Sequence, residues 1–502
     1  MHLSMLLDMA WSGHGDRIAF GGRADGITYE QLATRAASGA AFIRQAGVDY
    51  LVYLAPNSTA FPVALFAAAA AGVPLVPINY RLGPDQLDPL LDAHRASIVI
   101  VEDELHDAIG DWATDPLSPE AWLDATVVER AIDDPDDDPD DDPETIAMLL
   151  YTSGTTAAPK AAVLRNRHLA AYVMSTVEFG GAEERAASLV SVPPYHIAGV
   201  SNTVSNLYAG RRVTYLGAFT PEAWLETVRE EEITHALVVP TMLARVVEHL
   251  EEIGAPQADV PTLASLAYGG APMPHRVITR ALELLPTTAF VNAYGLTETS
   301  STVAVLGPEE HRAAAASDDP TVQARLGSAG VLVPGIEAEI RADDGSLLPP
   351  GEVGELFVRG EQVSGEYVGR DSATDADGWF ATRDRASIDA DGYLFIEGRS
   401  DDTIIRGGEN IAPAEIEAVL CHHEAVADAA VLGLPDEEWG QVIAAVVVTR
   451  THVDADELRA YVREHLRGSK TPERIEFRAE LPRTDTGKLL RRVLLTELRG
   501  SD

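Results

Sequence analysis

The decapeptide YTSGTTAAPK, running from Tyr151 to Lys160, sets Thr152, Ser153, Thr155 and Thr156 around Gly154 and ends on Pro-Lys. It follows the apolar run IAMLL. A loop of hydroxyls and glycine at the end of a strand can wrap its backbone N–H groups around phosphate oxygens. The Gly-x-x-x-x-Gly-Lys-Ser/Thr spacing of a Walker A loop is absent, so a plain Ser/Thr-rich turn accounts for the stretch equally well. A second Gly-Lys stretch, PRTDTGKLLRR, lies near the C-terminus and carries Lys488. Taken alone, Lys488 reads as a surface lysine.

Such residues need a scaffold. A chain of 502 residues is too long for one ordinary core and implies at least two domains. Through about residue 300, short β-branched runs such as ASIVIVED, AASLVSVPP and THALVVP alternate with helical patterns. That alternation predicts α/β architecture with mostly parallel sheets. Between Tyr50 and Tyr80 there is no charged residue, a length that alone would suggest a membrane span. Pro56, Pro62, Gly72, Pro74 and Pro77 interrupt it, so it reads as a buried strand–helix–strand unit. The acidic, proline-punctuated run DDPDDDPDDDPET reads as a solvated linker; its prolines and lack of a loop glycine disfavour a Ca²⁺ site.

From Gly327 the pattern alternates apolar and polar residues, with Asp344-Gly345 and Asp391-Gly392 at turns. This predicts antiparallel hairpins, a β-subdomain over about 327–400 that completes a large N-terminal domain of residues 1–400. Residues 401–502 read as a small α+β domain, with helices APAEIEAVLCHH and DADELRAYVREHL and strands VADAAVLGLP and QVIAAVVVT.

The net charge of −41 argues against a nucleic-acid partner, which would need clustered Lys and Arg. An anionic ligand must therefore be met by local donors. Cys421 is the single cysteine, so an intrachain disulfide is impossible and a cytoplasmic setting fits. His422 and His423 beside it point to different sides of a helix, which disfavours a metal site there. The N-terminus lacks a basic region and a long apolar core, so no signal peptide is expected.

Five stretches then occur in order: YTSGTTAAPK, NAYGLTET, TRD (Thr382 to Asp384), GRSDDTIIRGGENIAPAEIE (from Gly398) and PRTDTGKLLRR. With these, the whole chain resembles the adenylate-forming superfamily of acyl-CoA synthetases, aryl-CoA ligases, nonribosomal adenylation domains and luciferases. The resemblance implies two half-reactions: a carboxylate attacks the α-phosphate of ATP to give acyl-adenylate and pyrophosphate, then a nucleophile displaces AMP. Two anions must meet in the first half, so positive charge has to sit between them. Lys488 matches the family lysine that bridges them, and Lys160 the loop lysine near the β- and γ-phosphates.

By the same resemblance, Thr152, Ser153, Gly154, Thr155 and Thr156 hold phosphate, with Thr155 and Glu298 on Mg²⁺, a cation that takes oxygen ligands. Tyr294, with Gly295 and Thr297 in its motif, stacks on adenine, and Gly270, Ala271 and Pro272 form the opposite wall. Asp384 holds the ribose hydroxyls with Arg399 as its neighbour, and Asp401 is the hinge about which the small domain rotates between half-reactions. Rotation presents Gly407 and Gly408, whose lack of side chains lets a thin pantetheine arm pass. Three positions depart from the family: Ala157 and Ala161 replace glycines, and Arg383 stands where Thr-Gly-Asp has its glycine. Alanine where φ must be positive would cost about 1 kcal/mol.

Coenzyme A is the expected acceptor. Trp439 matches an aromatic that packs on pantetheine, Arg81 a contact to a CoA phosphate, and no appended carrier or condensation domain is expected after the Lys488 loop. Trp439 as a packing residue and Arg81 as a helix-start charge are the plain alternatives. His196 matches the residue that gates the acyl pocket, whose lining is expected from His196, Ala198, Gly199, Gly269, Ala293, Ser300 and Ser301. Small residues leave volume, which points to a medium-to-long-chain fatty acid, an aryl acid or another bulky hydrophobic acid. HIAGVSNT offers no aspartate for an amino group, which disfavours amino acids. An acyl-AMP ligase that loads a carrier protein and a non-catalytic nucleotide-binding homologue are the competing readings. A homodimer is compatible with the sequence, which leaves the acid, the pathway and the oligomeric state open.

Overall fold

The computed structural model describes residues 1–113, 115–127, 141–152, 159–407, 409–436, 439–484 and 487–499. Ser153, Gly154, Thr155, Thr156 and Ala157 of the hydroxyl loop, Gly408, and residues 133–140 of the acidic run lie outside them.

The chain is α/β, and the uncharged stretch shows why. Its strand Tyr50–Leu54, helix Ala60–Ala71 and strand Leu75–Pro77 form a right-sized crossover whose strands pair in parallel, Leu51 with Leu75. Strands covered on both faces read as continuous apolar runs. The helix is buried nearly all round, which explains its alanines, and Gly72 ends it at φ +72°. Ser97–Val101 and Ile146–Thr152 extend this sheet in parallel, and Lys160–Arg165 closes one edge antiparallel to Ile146–Thr152. No helix among the described residues is long and apolar enough to cross a membrane.

A second sheet has nine strands. Its parallel centre runs through Ala289–Leu296, Ser265–Gly269, His235–Val238, Ala187–Val190, Arg212–Tyr215 and Ile18–Phe20. Ser301–Leu306 turns back antiparallel beside Ala289–Leu296. Open α/β sheets bind ligands beyond the carboxyl ends of their strands. Gly270 and the NAYGLTET stretch sit at those ends, on neighbouring strands with Gly269 opposite Ala293.

The alternating stretch after Gly327 forms a four-stranded antiparallel sheet of Glu337–Arg341, Gly354–Arg359, Phe380–Ile388 and Leu394–Arg399. Gly345 and Gly392 take φ +83° and +87° at the expected turns. The two long strands of the C-terminal region, Val426–Asp436 and Gly440–Thr449, pair as a hairpin, with Arg474–Arg478 alongside in parallel. Helices Pro413–His422 and Ala455–His465 pack against this sheet's apolar cluster. Apolar clusters built from Ile404 onward share no member with those built before residue 395. Within RGGEN, Arg406 pairs with Glu409 in a short antiparallel ladder of Ile404–Arg406 with Glu409–Ile411.

Candidate active site

Four elements from distant parts of the chain converge. The first is the pair of strands that flank the hydroxyl loop. Thr152 and Lys160 face each other across the antiparallel pair, so the loop between them is closed at its base. Ala161 follows in regular strand pairing with Tyr151 and has no positive φ, so its methyl group costs no backbone strain. The Lys160 ammonium lies 5.6 Å from the Tyr367 ring centroid.

The second element is the turn that carries Glu298. Strand Ala289–Leu296 bulges between Tyr294 and Gly295, passes through the 3₁₀ turn Thr297–Thr299 and returns as Ser301–Leu306. A Cβ on Gly295 would lie 1.8 Å from the Ser301 carbonyl oxygen, so only glycine fits there. Ser300 and Ser301 take φ +53° and +114°, a conformation L-residues adopt rarely. Gln362 holds the turn by donating to the Thr299 and Thr302 carbonyls at 2.9 and 2.8 Å. The Ser364 N–H donates to the Glu298 carbonyl at 2.8 Å, and the Tyr367 phenol donates to Glu298 Oε1 at 2.5 Å.

The third element is the β-subdomain. Asp384 and Arg399 are opposite each other on neighbouring strands, and Arg399 Nε is 2.8 Å from Asp384 Oδ1. The Tyr294 phenol donates to Asp384 Oδ2 at 2.5 Å. Arg399 also donates to the Thr382 carbonyl at 3.0 Å, and the Thr382 hydroxyl donates to Leu356. Asp384 is buried, and burial raises its pKa against the opposing pull of Arg399 and the Tyr294 bond. Burial and the Asp384 charge push the Tyr294 phenol well up, so it stays a donor.

Arg383 sits at φ +65° between them. The family glycine at this place is thus explained by backbone conformation, and the arginine is strained. Its approach to Glu355, 3.9 Å, is exposed and adds little. Arg383→Gly is expected to stabilise the protein by up to about 1 kcal/mol, read as a higher urea midpoint with an unchanged slope.

The fourth element is the loop of Lys488. Thr484 N donates to the Lys488 carbonyl at 2.8 Å, Lys488 N to Thr484 Oγ1 at 3.0 Å, and Arg483 to the Gly487 carbonyl at 2.7 Å. Arg483 is itself clamped on Asp428. Gly487, at φ +79°, rests against the large domain: an added Cβ would lie 2.5 Å from Thr241 Cγ2. The Lys488 residue keeps an exposed surface, yet protein surrounds much of it. Burial and the neighbouring Arg399 lower its pKa, while Asp384, Asp402 and Glu298 oppose that shift. One ammonium thus stands within electrostatic reach of the groups that the sequence assigns to ribose and metal.

Other expected residues fall into separate groups. His196 caps helix Ile197–Ala209, its ring 4.5 Å from Tyr195, which meets Tyr80 edge-on at 5.4 Å. Arg81 lies over the Tyr80 ring at 5.4 Å. Gly199 and Gly269 contribute no open volume: a Cβ at either would strike the Pro193 or Ala293 carbonyl oxygen at 2.5 and 2.2 Å. Ala198 is half-buried, and the Ser301 hydroxyl bonds Ser201 Oγ at 2.9 Å. Gly407 and Trp439 meet: Gly407 N donates to the Trp439 carbonyl at 2.8 Å, and its Cα faces the indole. Arg406 covers the other part of that ring at 4.8 Å, and Trp439 is 43% exposed. Among the described residues, no hydrogen bond or ion pair joins this pair to the Lys488 group. Asp401 lies in the 3₁₀ turn Ser400–Asp402, where Asp402 pairs with Arg491 at 3.2 Å.

The sequence reading missed Gln362, Tyr367, Thr241 and Arg491. Tyr367 is flanked by SGE and VGR, which carry no chemical signature. Only its seat against Glu298 reveals it.

Residues 7–368 match the AMP-binding enzyme family and residues 415–488 the AMP-binding enzyme C-terminal domain. A feruloyl-CoA synthase of an Amycolatopsis species is 36% identical over 491 residues, 96% of this chain and 95% of that protein. The fatty acid–[acyl-carrier-protein] ligase ScoC of Streptomyces coeruleorubidus is 33% identical, covering 93% of this chain and 91% of its own. Among solved structures, o-succinylbenzoate CoA synthetase of Bacillus subtilis with its acyl-adenylate superposes with a TM-score of 0.82 at 28% identity, over 97% of each chain. With the fold, the five ordered motifs and both family matches in agreement, the chain belongs to the AMP-binding enzymes, the adenylate-forming superfamily.

Proposed function

We propose that this enzyme is an ATP-dependent acid–CoA ligase that forms an acyl-adenylate and then passes the acyl group to the CoA thiol. The observation that carries the reading is the seat of Lys488. Its loop is folded from the C-terminal region yet lies on Thr241, and Asp384, Arg399 and Glu298 act on its ammonium electrostatically. An ammonium there offsets the charge that two approaching anions would otherwise bring together.

In the first half-reaction Asp384 and Arg399 hold the ribose end, the Tyr294 ring and the Gly270–Pro272 stretch flank the base, and Lys488 lies between carboxylate and α-phosphate. Lys160 enters beside the β- and γ-phosphates. The donor set fits Mg²⁺: Glu298 is a carboxylate whose Oε1 accepts from the Tyr367 phenol, and its Oε2 accepts no hydrogen bond among the described residues. Bound there, the cation would neutralise phosphate charge and orient the pyrophosphate for departure. In the second half-reaction Lys488 withdraws about Asp401 and the Gly407–Trp439 surface receives the pantetheine arm. Division at about residue 400 into two domains is what this motion requires.

The acid is bulkier than acetate, a medium-to-long-chain fatty acid or an aryl acid. Ala198, Ala293, Ser300 and Ser301 are small, and the aromatic edge of Tyr80, Tyr195 and His196 supplies an apolar wall. The likeness to a feruloyl-CoA synthase supports the aryl side. The likeness to a carrier-protein ligase supports a second reading, in which a carrier's pantetheine replaces CoA. Pyrophosphate release across acetate, fatty, benzoic, cinnamic and steroid-like acids, with and without CoA, tests both. Release stimulated by CoA with thioester formed establishes the ligase. Release indifferent to CoA, followed by acyl transfer to a carrier protein, replaces it with the second reading.

A further inference from the structure

The chain from Gln362 to Val368 is bound along both sides to elements of the site. On one side it runs along Lys160–Arg165: Val163 N donates to the Glu366 carbonyl and Val368 N to the Ala161 carbonyl, each at 3.0 Å. Ala162 and Tyr367 form an isolated antiparallel bridge. The Ser364 hydroxyl donates to the Val163 carbonyl, and Arg165 grips both oxygens of Glu366 at 3.1 and 2.7 Å. On the other side Ser364 N and Gln362 hold the turn of Glu298. This strap therefore ties the strand that leaves the hydroxyl loop to the turn that carries the carboxylate.

Tyr367 lies where the two meet. Its phenol reaches Glu298 Oε1 at 2.5 Å and its ring faces the Lys160 ammonium at 5.6 Å. We propose that Tyr367 is a positioning residue for the metal–phosphate half of the site, fixing Glu298 through Oε1 so that Oε2 is turned to the cation, and steadying Lys160 with its ring. The inference rests on the reading that Glu298 holds Mg²⁺.

Two physical points support it. A carboxylate has about four acceptor positions and the phenol uses one of them, so the bond orients Glu298 without exhausting it. A free glutamate side chain would give up as much as about 2 kcal/mol of rotamer freedom on fixing a metal, and the phenol fixes it beforehand.

The test compares Tyr367→Phe, which keeps the ring, with Glu298→Gln, in three measurements. These are calorimetric binding of Mg²⁺ in the presence of a non-hydrolysable ATP analogue, the Mg²⁺ dependence of pyrophosphate release, and thioester formation from supplied acyl-adenylate. Tyr367→Phe is expected to weaken Mg²⁺ in the first two by about tenfold, the usual effect of losing a partner of a metal ligand. Thioester formation stays unchanged. Tyr367→Ala adds a rise in KM for ATP, because Lys160 loses the ring. Unchanged Mg²⁺ binding in Tyr367→Phe, with binding lost in Glu298→Gln, overturns the role of Tyr367 and spares the metal reading. Unchanged binding in Glu298→Gln overturns that reading and the inference with it. An equal fall in both half-reactions of Tyr367→Phe overturns the inference in favour of a purely structural tyrosine.

Discussion

Lys488→Ala is expected to lower acid-dependent pyrophosphate release by about a thousandfold, the scale of losing one group that stabilises transition-state charge. Thioester formation from supplied acyl-adenylate should proceed at the wild-type rate. The split follows from geometry. In the conformation described, Asp384, Asp402 and Glu298 act on the ammonium electrostatically while Gly487 rests on Thr241. It therefore serves the step in which carboxylate and triphosphate are both present. The second step has no such pair of anions to bring together. Lys488→Arg should not restore adenylation, because a planar guanidinium on a different stem cannot replace a compact ammonium at one point between two oxygens. Folding is expected to be unaffected, since among the described residues the side chain makes no hydrogen bond that packs the loop. Those bonds come from the Lys488 backbone. Stopped-flow assays of each half-reaction check the split, and equal loss in both would remove Lys488 from the bridging role.

The parts of this site that sequence makes legible are those whose chemistry is written in residue type. Lys488, Glu298, Asp384 and Arg399 are charged residues inside ordered motifs; the structure pairs Asp384 with Arg399, and both, with Glu298, act electrostatically on Lys488. The buried crossover of residues 50–77 is legible for a similar reason: strands covered on both faces must be apolar throughout, and Gly72 must end the helix. What escapes is decided by tertiary approach. Gly199 and Gly269 read as pocket volume, yet neighbouring carbonyl oxygens already fill the space where a side chain would go. Arg383 reads only as a departure from the family's glycine, and the structure shows that the backbone there keeps the conformation glycine suits. Tyr367, Gln362 and Thr241 act through partners sixty or more residues away, with no periodicity or motif to announce them. The hairpin Ile404–Arg406 with Glu409–Ile411 is too short for a pattern of alternation to declare itself.

Asp384→Ala is expected to fail differently from Lys488→Ala, in stability as well as in turnover. Asp384 accepts the Tyr294 phenol and pairs with Arg399 while almost fully buried. Its removal strands a guanidinium and a phenol, a loss of about 2–4 kcal/mol, discounted from the fully buried case because Arg399 keeps some water. The KM for ATP should rise by about a hundredfold, since one lost charged partner is worth some 2.7 kcal/mol. The same residue sets the acid limit. Burial raises the Asp384 pKa above its ordinary 3.8, so the carboxylate is less favoured folded than unfolded. The group therefore adds stability when protonated, at pH below 3.8, and that contribution is lost as pH rises through its folded pKa. Charge at Asp384 is kept against stability, which is what a ribose-binding carboxylate demands. ATP binding should accordingly fall with acid at a pH above 3.8. The Tyr294 bond opposes the upward shift, so Tyr294→Phe should move that limb to still higher pH. A titration of nucleotide affinity against pH for wild type and Tyr294→Phe decides it: a limb that stays in place, or moves toward acid, would detach Asp384 from the binding of ATP.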